Sequence, residues 1–468
     1  MKKIILFLAF LVSYINYSQD GYLDTSFIVG TGFNGSPNSI ITQNDDKIVV
    51  VGTFTTYKGV TCNRIVRLNP DGTIDSSFNS GSGTNNTIAK ILQLNDGKFL
   101  IAGSFTSYDG ISVNRIARLN NNGTLDVSFN NSSGPDTSIK ALALQSDSKI
   151  VVVGTFQTFD GLTKRSIARL NSDGSLDTGF TPNIAMGVNP YAIAIQSDDK
   201  IIIGGNFSFF GGMSVHNIVR LDPNGTIDST FNPGTGPNDL VLSIALRTDT
   251  KIIISGNFQT YNGFTVNYIT QLNTDGSRDT NFTTGNGADS AIIDHVIQDD
   301  GKIIIVGSFA SYDNSSARGI ARLNSDGTKD AAFIQHINDI RSGFYNIGVN
   351  CVTLQNDQKI ITGGTFINYN NVSTPKIARL TNSTLSVNEN EFSASLKVFP
   401  NPSNAVFNIN IDTNATLKVC DLAGKVIENK KIGFGNSLLD MSQYQSGIYF
   451  LKITTDNNQN KTIKVLKE

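Results

Sequence analysis

A loop of the form Asn-x-Asp-Gly-x-x-Asp recurs along the chain, and its side-chain oxygens could hold a calcium ion. Examples are Asn69–Asp75, Asn171–Asp177 and Asn324–Asp330. Calcium takes roughly six to eight oxygen ligands, but here glycine stands fourth, not sixth as in an EF-hand, and no bidentate glutamate follows. Asn-Pro-Asp-Gly and Asn-Ser-Asp-Gly are also strong hairpin-turn sequences. We interpret the loop as a turn, with calcium as the alternative, and predict no metal or cofactor.

An arginine stands two residues before most of these loops, and an aspartate follows it eight residues later. A ring of guanidinium groups could bind anions. The alternative is an Arg–Asp or Arg–carbonyl contact between adjacent strands, and repetition favours it, because a ligand site usually needs residues that break symmetry. The arginines are Arg67, Arg118, Arg169, Arg220, Arg322 and Arg379. Recurrent lysines after tight turns are interpreted as solvated: Lys47, Lys98, Lys149, Lys200, Lys251, Lys302 and Lys359.

The three histidines, His216, His295 and His336, break the repetition. A single histidine is usually a surface or core residue, so we assign none of them a catalytic role. The sequence lacks a Gly-x-Ser-x-Gly elbow, a phosphate loop and a paired-histidine motif, and we predict no catalytic residue. The long stretch Ile334–Gly348 is the candidate for a specific binding rim. It contains His336, Arg341, Phe344 and Tyr345.

The composition excludes several classes of function. With Lys+Arg 37 against Asp+Glu 39, the formal charge is −2, and no basic stripe is present for a nucleic-acid partner. Only 3 His and 3 Cys occur in 468 residues, which leaves few ligands for zinc or iron. Cys62, Cys351 and Cys420 are too few for a disulfide scaffold. A disulfide between Cys62 and Cys351 is the alternative to two unpaired core thiols, which we favour.

The elements that position these residues repeat with a period of 51 residues. The phenylalanine of a Gly-x-Phe motif recurs at five intervals of 51 residues and a last one of 57. These positions are Phe54, Phe105, Phe156, Phe207, Phe258, Phe309 and Phe366. A period near 50 fits one propeller blade. In the second unit, Ile88–Leu94, Lys98–Phe105, Arg115–Leu119 and Thr124–Phe129 predict four antiparallel strands, and helix signals are absent.

The two ends of the repeat complement each other. Leu23–Phe27 matches the fourth-strand segment of other units, such as Leu125–Phe129, while the last unit stops at Leu380 before its own fourth strand. A ring needs this arrangement, whereas an open solenoid would leave an unpaired strand edge. We therefore predict an all-β, seven-bladed propeller of four-stranded blades closed by an N-terminal strand.

The repeated pattern is specific enough for a family resemblance. Asp-x-Lys-Ile-x-x-x-Gly-x-Phe, followed by Arg-Leu-Asn-x-Asp-Gly-x-x-Asp-x-x-Phe, resembles the Delta-60 repeat family of bacterial β-propellers over residues 22–381. Gln271 departs from the usual arginine, and the seventh unit carries six extra residues before its phenylalanine. The resemblance implies a propeller in an extracytoplasmic setting and no defined activity.

The composition changes near residue 385. All four glutamates lie beyond it, no arginine follows Arg379, and residues 396–468 carry a net charge of +3. Residues 382–395 are predicted to be a linker. Strand-like runs at Val406–Ile411, Ala415–Val419, Gly447–Ile453 and Thr462–Leu466 predict a small immunoglobulin-like β-sandwich over 396–468.

This C-terminal region resembles the sorting domain of the type IX secretion system. The motif residues that carry the resemblance include Pro400, Asn401, Pro402, Gly424, Gly447 and Tyr449. The resemblance implies export across the outer membrane of a Bacteroidetes-like bacterium, with the secretion machinery as partner. An immunoglobulin-like binding domain is the alternative.

At the other end, Lys2 and Lys3 precede the apolar run Ile4–Val12, which predicts a signal peptide over residues 1–18. That run is too short to span a bilayer of about 30 Å, and we expect no integral membrane span. The expected function is a monomeric, secreted or surface-displayed, non-catalytic propeller that binds a glycan, matrix or protein ligand. The alternatives are an extracellular polysaccharide lyase or glycoside hydrolase and a structural surface protein.

Overall fold

The computed structural model describes residues 20–129, 133–184, 187–333, 344–345, 348–382, 396–421, 425–455 and 460–468. These residues form strands and turns without helices, so none of them belongs to a helix that could cross a membrane. The chain divides into two compact units between Ser383 and Thr384, inside the predicted linker at 382–395. The predicted leader, residues 1–18, lies outside the described residues.

The N-terminal unit is a ring of seven antiparallel blades, as the sequence predicted. The first strand of each blade, called the inner strand, contacts the inner strands of both neighbouring blades, and that of blade seven contacts that of blade one. The inner strands are Pro37–Thr42, Ile88–Gln93, Ile139–Leu144, Asn189–Ile195, Val241–Leu246, Ile292–Ile297 and Val349–Leu354. The middle strands are Ile48–Gly52, Phe99–Gly103, Ile150–Gly154, Ile201–Asn206, Ile252–Gly256, Ile303–Gly307 and Ile360–Gly364. The third strands are Ile65–Leu68, Ile116–Leu119, Ile167–Leu170, Ile218–Leu221, Ile269–Leu272, Ile320–Leu323 and Ile377–Leu380.

The fourth strand of each blade is shorter than predicted. In blade one it is a single bridge between Leu68 and Ile74, followed by a hydrogen bond from the Asp75 amide to the Arg67 carbonyl. The Asp75 carboxylate then accepts hydrogen bonds from the amide and hydroxyl of Ser77 at 3.0 and 2.7 Å. These bonds turn the chain away from the blade, so the ladder ends there.

A short hairpin connects the middle and third strands of each blade. Each consists of two two-residue strands: Thr56–Tyr57 with Val60–Thr61, Ser107–Tyr108 with Ile111–Ser112, Thr158–Phe159 with Leu162–Thr163, Phe209–Phe210 with Met213–Ser214, Thr260–Tyr261 with Phe264–Thr265, Ser311–Tyr312 with Ser315–Ser316, and Asn368–Tyr369 with Val372–Ser373. Phe344–Tyr345 pairs with the hairpin of blade seven.

The ring is closed by the N-terminal segment, as predicted. Leu23 forms an antiparallel bridge with Leu380, and the Asp24 amide donates to the Arg379 carbonyl at 2.9 Å. Leu23 thus takes the place that Ile74 takes in blade one. Because blade seven borrows its fourth segment from the start of the chain, both ends of the propeller are held in one blade.

The core lies between the blades, and this explains the apolar middle strands. All five residues of Ile48–Gly52 are buried, because neighbouring blades cover both faces of the strand. A strand covered on one face alone would alternate apolar and polar residues. The anchor residue Phe54 is fully buried in the same apolar cluster.

The three cysteines are unpaired and buried, as favoured above. Cys62 and Cys351 lie in one apolar cluster shared by blades one and seven, so they are close in the ring without being joined. Burial raises the pKa of the Cys62 thiol to about 12.

The C-terminal unit consists of two antiparallel sheets around one apolar core. One sheet contains, in spatial order, Leu396–Phe399, Val406–Ile411 and Gly435–Asp440. The other contains Val426–Ile432, Ala415–Cys420, Gly447–Thr455 and Asn460–Lys467. All four predicted strand-like runs are strands here. The immunoglobulin-like assignment of this sandwich stays a prediction.

Candidate functional site

One aspartate per blade, called the hub aspartate, is buried or partly buried and joins several strands. In blade one, Asp75 Oδ2 lies 2.7 Å from Arg67 Nε and 3.1 Å from Lys47 Nζ. Burial alone would raise the pKa of Asp75, but hydrogen bonds from Ser77, Lys47 and Arg67 outweigh it and hold that pKa well below its usual value. The pKa is lowered in all seven hub aspartates. They are Asp75, Asp126, Asp177, Asp228, Asp279, Asp330 and, in blade seven, Asp24.

The recurrent lysines are not simply solvated, so that interpretation was wrong. Lys98 Nζ lies 2.7 Å from Asp126, and the lysine of every other blade also pairs with its own hub aspartate. Lys47 can reach Asp75 because Ile48 pairs with Leu68 in the sheet, which brings the start of the middle strand beside the fourth segment. A separation of 28 residues hid this contact in the sequence.

The repeated arginines tie adjacent blades together and do not form an anion-binding ring. Arg67 Nη1 donates to the Asn121 carbonyl in the turn of blade two, 2.7 Å away, while its Nε pairs with Asp75. Arg379 makes the equivalent bond from blade seven to the Pro70 carbonyl of blade one. Because each guanidinium is shared between its own aspartate and the next blade, the symmetric positions are occupied by structural contacts.

Blade five departs from this pattern in two compensating places. Gln271 stands at the arginine position and donates to Asp279 at 2.7 Å, while its own Oε1 is buried without a hydrogen-bond partner among the described residues. Arg247 stands where blades one, three, four, six and seven have glutamine, and its guanidinium donates to the Ser325 carbonyl of blade six at 3.1 Å. Arg247 therefore supplies the tie to the next blade that Gln271 is too short to make.

We expect Arg247→Gln to lower the free energy of unfolding by about 1–2 kcal/mol, because the tie between blades five and six is lost. The double variant Arg247→Gln with Gln271→Arg restores the arrangement of the other blades and removes the unpartnered amide oxygen. It should therefore regain the wild-type value. Urea unfolding of the full chain measures both variants. Equal losses in the single and double variants would contradict the exchange.

The Asn-x-Asp-Gly loops are turns closed by their own side chains. In blade one, Asn69 Nδ2 donates to the Thr73 hydroxyl at 2.9 Å. Asp71 Oδ1 accepts from the Thr73 amide and hydroxyl at 2.9 and 2.7 Å. The last aspartate of the loop is the hub residue Asp75, which is engaged by Arg67 and Lys47. In the part of the chain that the structure describes, no cluster of three or more histidine, cysteine, aspartate or glutamate side chains could hold a metal ion.

The centre of the ring is where the blades differ. Each inner strand contains a β-bulge at its start, and the bulged residue lines the centre of the ring in every blade. This residue is Asn38, Ala89, Lys140, Tyr191, Leu242, Ile293 or Asn350 in blades one to seven. In blades two to six the next residue also lines the centre, and it is Lys90, Ala141, Ala192, Ser243 or Asp294. Equivalent backbone positions thus carry unlike chemistry.

These side chains line a central cavity of about 190 Å³ to which all seven inner strands contribute. Its charged lining residues are Lys90, Lys140 and Asp294. Tyr191 adds an aromatic ring that is 37% exposed. The cavity is far larger than the roughly 10–15 Å³ that one water needs and smaller than the roughly 300–1,000 Å³ of a drug-sized pocket.

Asp294 of blade six is held in place by hydrogen bonds from blades five and seven. Its Oδ1 accepts from the Ser243 hydroxyl of blade five at 3.0 Å, and its Oδ2 accepts from the Val352 amide of blade seven at 3.2 Å. Burial raises the pKa of the nearby Cys351 most; Asp294 raises it further and Lys90 lowers it. The carboxylate of Asp294 and the ammonium of Lys90 thus both act on Cys351, which is buried in the core shared by blades one and seven.

The described histidines are not brought together. His295 belongs to the inner strand of blade six but faces the core, where its Nδ1 shares a hydrogen bond of 2.9 Å with the Ser255 hydroxyl. Burial lowers the pKa of His295 to about 4, so its imidazole is uncharged at neutral pH. His216 is half-buried after the hairpin of blade four. His336 lies outside the described residues.

Most of the predicted binding rim, Ile334–Gly348, also lies outside the described residues, including Arg341. Its role stays a prediction. Sequence reasoning missed the central lining residues because it compared the units for what they share. The signal that could have found them is the mixed pair at the start of each inner strand, such as Ala89-Lys90 or Ile293-Asp294.

The described sorting-motif residues meet at the C-terminal strand. Asn401 Nδ2 donates to the Lys464 carbonyl, and Asn401 Oδ1 accepts from the Leu466 amide, both at 2.9 Å. It lies between Pro400 and Pro402, whose preceding peptide bonds are both cis. Gly447 and Tyr449 pair with the same strand at Lys467 and Val465. Gly424 lies outside the described residues.

Comparisons with known proteins confirm both family resemblances, that of the repeats and that of the C-terminal domain. Seven segments match a family described as a domain of unknown function (DUF5122) beta-propeller: residues 43–78, 94–129, 145–180, 196–231, 248–282, 298–333 and 355–383. Residues 397–468 match a secretion system C-terminal sorting domain. No curated protein matches the chain.

Three similar solved structures are surface or extracellular proteins. PorZ, a surface component of the type IX secretion system of Porphyromonas gingivalis, is 12% identical with a TM-score of 0.44, over 94% of this chain and 60% of that one. The extracellular domain of a hybrid two-component system from B. thetaiotaomicron is 12% identical with a TM-score of 0.46, over 95% and 56%. That of a one-component system from the same organism is 10% identical with a TM-score of 0.44, over 97% and 58%. This chain therefore spans less than two thirds of the length of each.

Proposed function

The chain belongs to the DUF5122 β-propeller family, and from this premise we propose that it is a non-catalytic binding module. The ligand is a glycan, a matrix component or a protein, and it binds at the centre of the ring. One observation carries the proposal: the residues shared by the blades hold the ring together, while the residues at the bulges around the central cavity differ from blade to blade. A specific ligand needs such unlike groups in one place.

The C-terminal sorting domain supports a location of this module outside the cell. A chain that ends in such a domain is exported by the type IX machinery, so the propeller works on the outer cell surface or in the medium. The leader predicted over residues 1–18 accounts for the first step, across the inner membrane.

The discriminating experiment incubates the purified secreted protein with a panel of polysaccharides and matrix proteins. Retention and new reducing or unsaturated sugar ends are measured in the same samples. Retention without new ends supports the binding module. New ends would overturn it in favour of a lyase or hydrolase, and absence of retention across the panel would overturn it in favour of a structural role.

We expect Asn401→Ala to reduce export, because the side chain forms two hydrogen bonds with the C-terminal strand. Losing them should weaken the attachment of that strand by about 1–2 kcal/mol. The measurement is the secreted fraction in a host with type IX machinery, together with hydrogen exchange at the Leu466 amide. The matched control is Asn429→Ala, an exposed strand position of the same domain. Equal secretion of the two variants would contradict the expectation.

A further inference from the structure

Two lysines that line the central cavity take no part in the ion pairs of the hub aspartates. The recurrent lysines of the blades are all paired with hub aspartates. Lys90 and Lys140, by contrast, lie on neighbouring inner strands and form no ion pair with any residue that the structure describes. Two ammonium groups against the single carboxylate of Asp294 leave the lining with an excess of one positive charge. An anionic group is therefore the charge-matched occupant.

The rest of the lining suits a ligand with hydroxyl groups. Asn38 and Asn350 contribute amides, each anchored through its Nδ2, to the Ile88 carbonyl at 3.1 Å and to the Ser36 hydroxyl at 2.8 Å. The hydrogen bonds from Ser243 and Val352 orient Asp294, so its carboxylate has one fixed position. Amide and carboxylate oxygens that are already positioned accept hydroxyl hydrogens at little entropic cost.

The size and the aromatic residue narrow the choice. A cavity of about 190 Å³ takes one sugar ring, not a polymer passing through. Tyr191 offers a partly exposed aromatic face against which the apolar side of such a ring can pack. An acidic peptide would supply the charge but few hydroxyl groups for the amides and for Asp294.

We propose that the central cavity binds the terminal sugar of an acidic polysaccharide, with Lys90 and Lys140 holding the sugar carboxylate. Asn38, Asn350 and Asp294 take the hydroxyl groups, and Tyr191 packs against the ring. This assignment rests on the proposed binding function and adds its site and its ligand class.

The test is calorimetric titration of the full chain with trigalacturonic acid. Galactotriose is the neutral analogue and triglutamate is the peptide probe. We expect the acidic sugar to bind, the neutral sugar to bind at least about tenfold more weakly, and Lys90→Met and Lys140→Met each to weaken acidic-sugar binding about tenfold. Lys58→Met is the matched control, because Lys58 lies in a hairpin and donates to the Gly72 carbonyl. Its affinity should be unchanged, and the thermal unfolding of each variant verifies the fold.

Two outcomes overturn the inference alone. If triglutamate binds as tightly as trigalacturonic acid, the cavity recognises anions in general and not an acidic sugar. If trigalacturonic acid does not bind while another member of the panel is retained, the ligand is not an acidic sugar held in the central cavity. In both cases the binding module stands. Absence of retention across the whole panel overturns the proposed function, and this inference with it.

Discussion

Arg322→Ala is expected to lower the free energy of unfolding of the propeller by about 3–5 kcal/mol, because the guanidinium is buried and holds both ends of the ring. Its Nη2 lies 2.5 Å from Asp20, and its Nη1 donates to the Asn382 side chain at 2.5 Å. Its Nε pairs with the hub aspartate Asp330 at 2.8 Å. Removing the arginine leaves two buried carboxylates without their shared cation and removes one contact from each of the first and last described residues of the propeller.

The matched control is Arg118→Ala, the same position in blade two. Arg118 pairs with Asp126 and donates to the Ser172 carbonyl, but it holds neither chain end. We expect a smaller loss of about 1–3 kcal/mol. Calorimetric unfolding of the full chain measures both variants, and hydrogen exchange locates the effect. The Asp24 amide, which donates to Arg379, should exchange faster in Arg322→Ala only. Equal losses in both variants would show that closure does not depend on Arg322.

Acid is expected to destabilise the propeller more than an ordinary domain, because all seven hub aspartates have lowered pKa values in the folded protein. In the unfolded chain an aspartate titrates near its ordinary value of about 3.9. A group with a lowered folded pKa contributes stability above the unfolded value, and this is lost as the pH falls toward the folded value. The calorimetric midpoint of the propeller should therefore fall by at least about 10 °C between pH 7 and pH 3.

Two variants of blade two separate this effect from general acid sensitivity. Asp126→Asn removes one hub charge and should flatten the pH dependence while lowering the midpoint at pH 7. Asp96→Asn changes an exposed aspartate in a turn of the same blade and should leave the pH dependence unaltered. A midpoint that is independent of pH between 7 and 3, or equal slopes for both variants, would contradict the role of the hub aspartates.

The closure of the ring could be predicted because a short segment of the sequence indicates it. Leu23–Phe27 repeats the pattern of Leu125–Phe129, and a repeat that begins in its last quarter is only useful in a closed ring. The sorting domain was likewise recognisable from its motif residues, of which Asn401, Gly447 and Tyr449 contact the C-terminal strand. These features depend on the order of residue types, which a single sequence displays.

The ion-pair partners of the charged residues were harder to predict from the sequence. The sequence favoured a structural role for Arg67 correctly, but it made Lys47 a solvated residue, whereas the structure pairs both with Asp75. The fourth strand was also predicted too long, because Ser77 hydrogen bonds to Asp75 end the ladder after one bridge. Such contacts depend on register across strands, and register is set by the whole blade.

By itself, the sequence determined the seven-bladed ring, its N-terminal closure and the C-terminal sorting domain, since repetition and motif order require no knowledge of distance. Only the tertiary structure decided which residues face one another at the centre. Lys90, Lys140 and Asp294 come from three separate repeats, and the bulge that starts each inner strand turns them toward one cavity. Their meeting depends on the circular packing of the blades, which places positions that lie 50 to 204 residues apart in the sequence around one cavity. The candidate site is therefore a property of the closed ring.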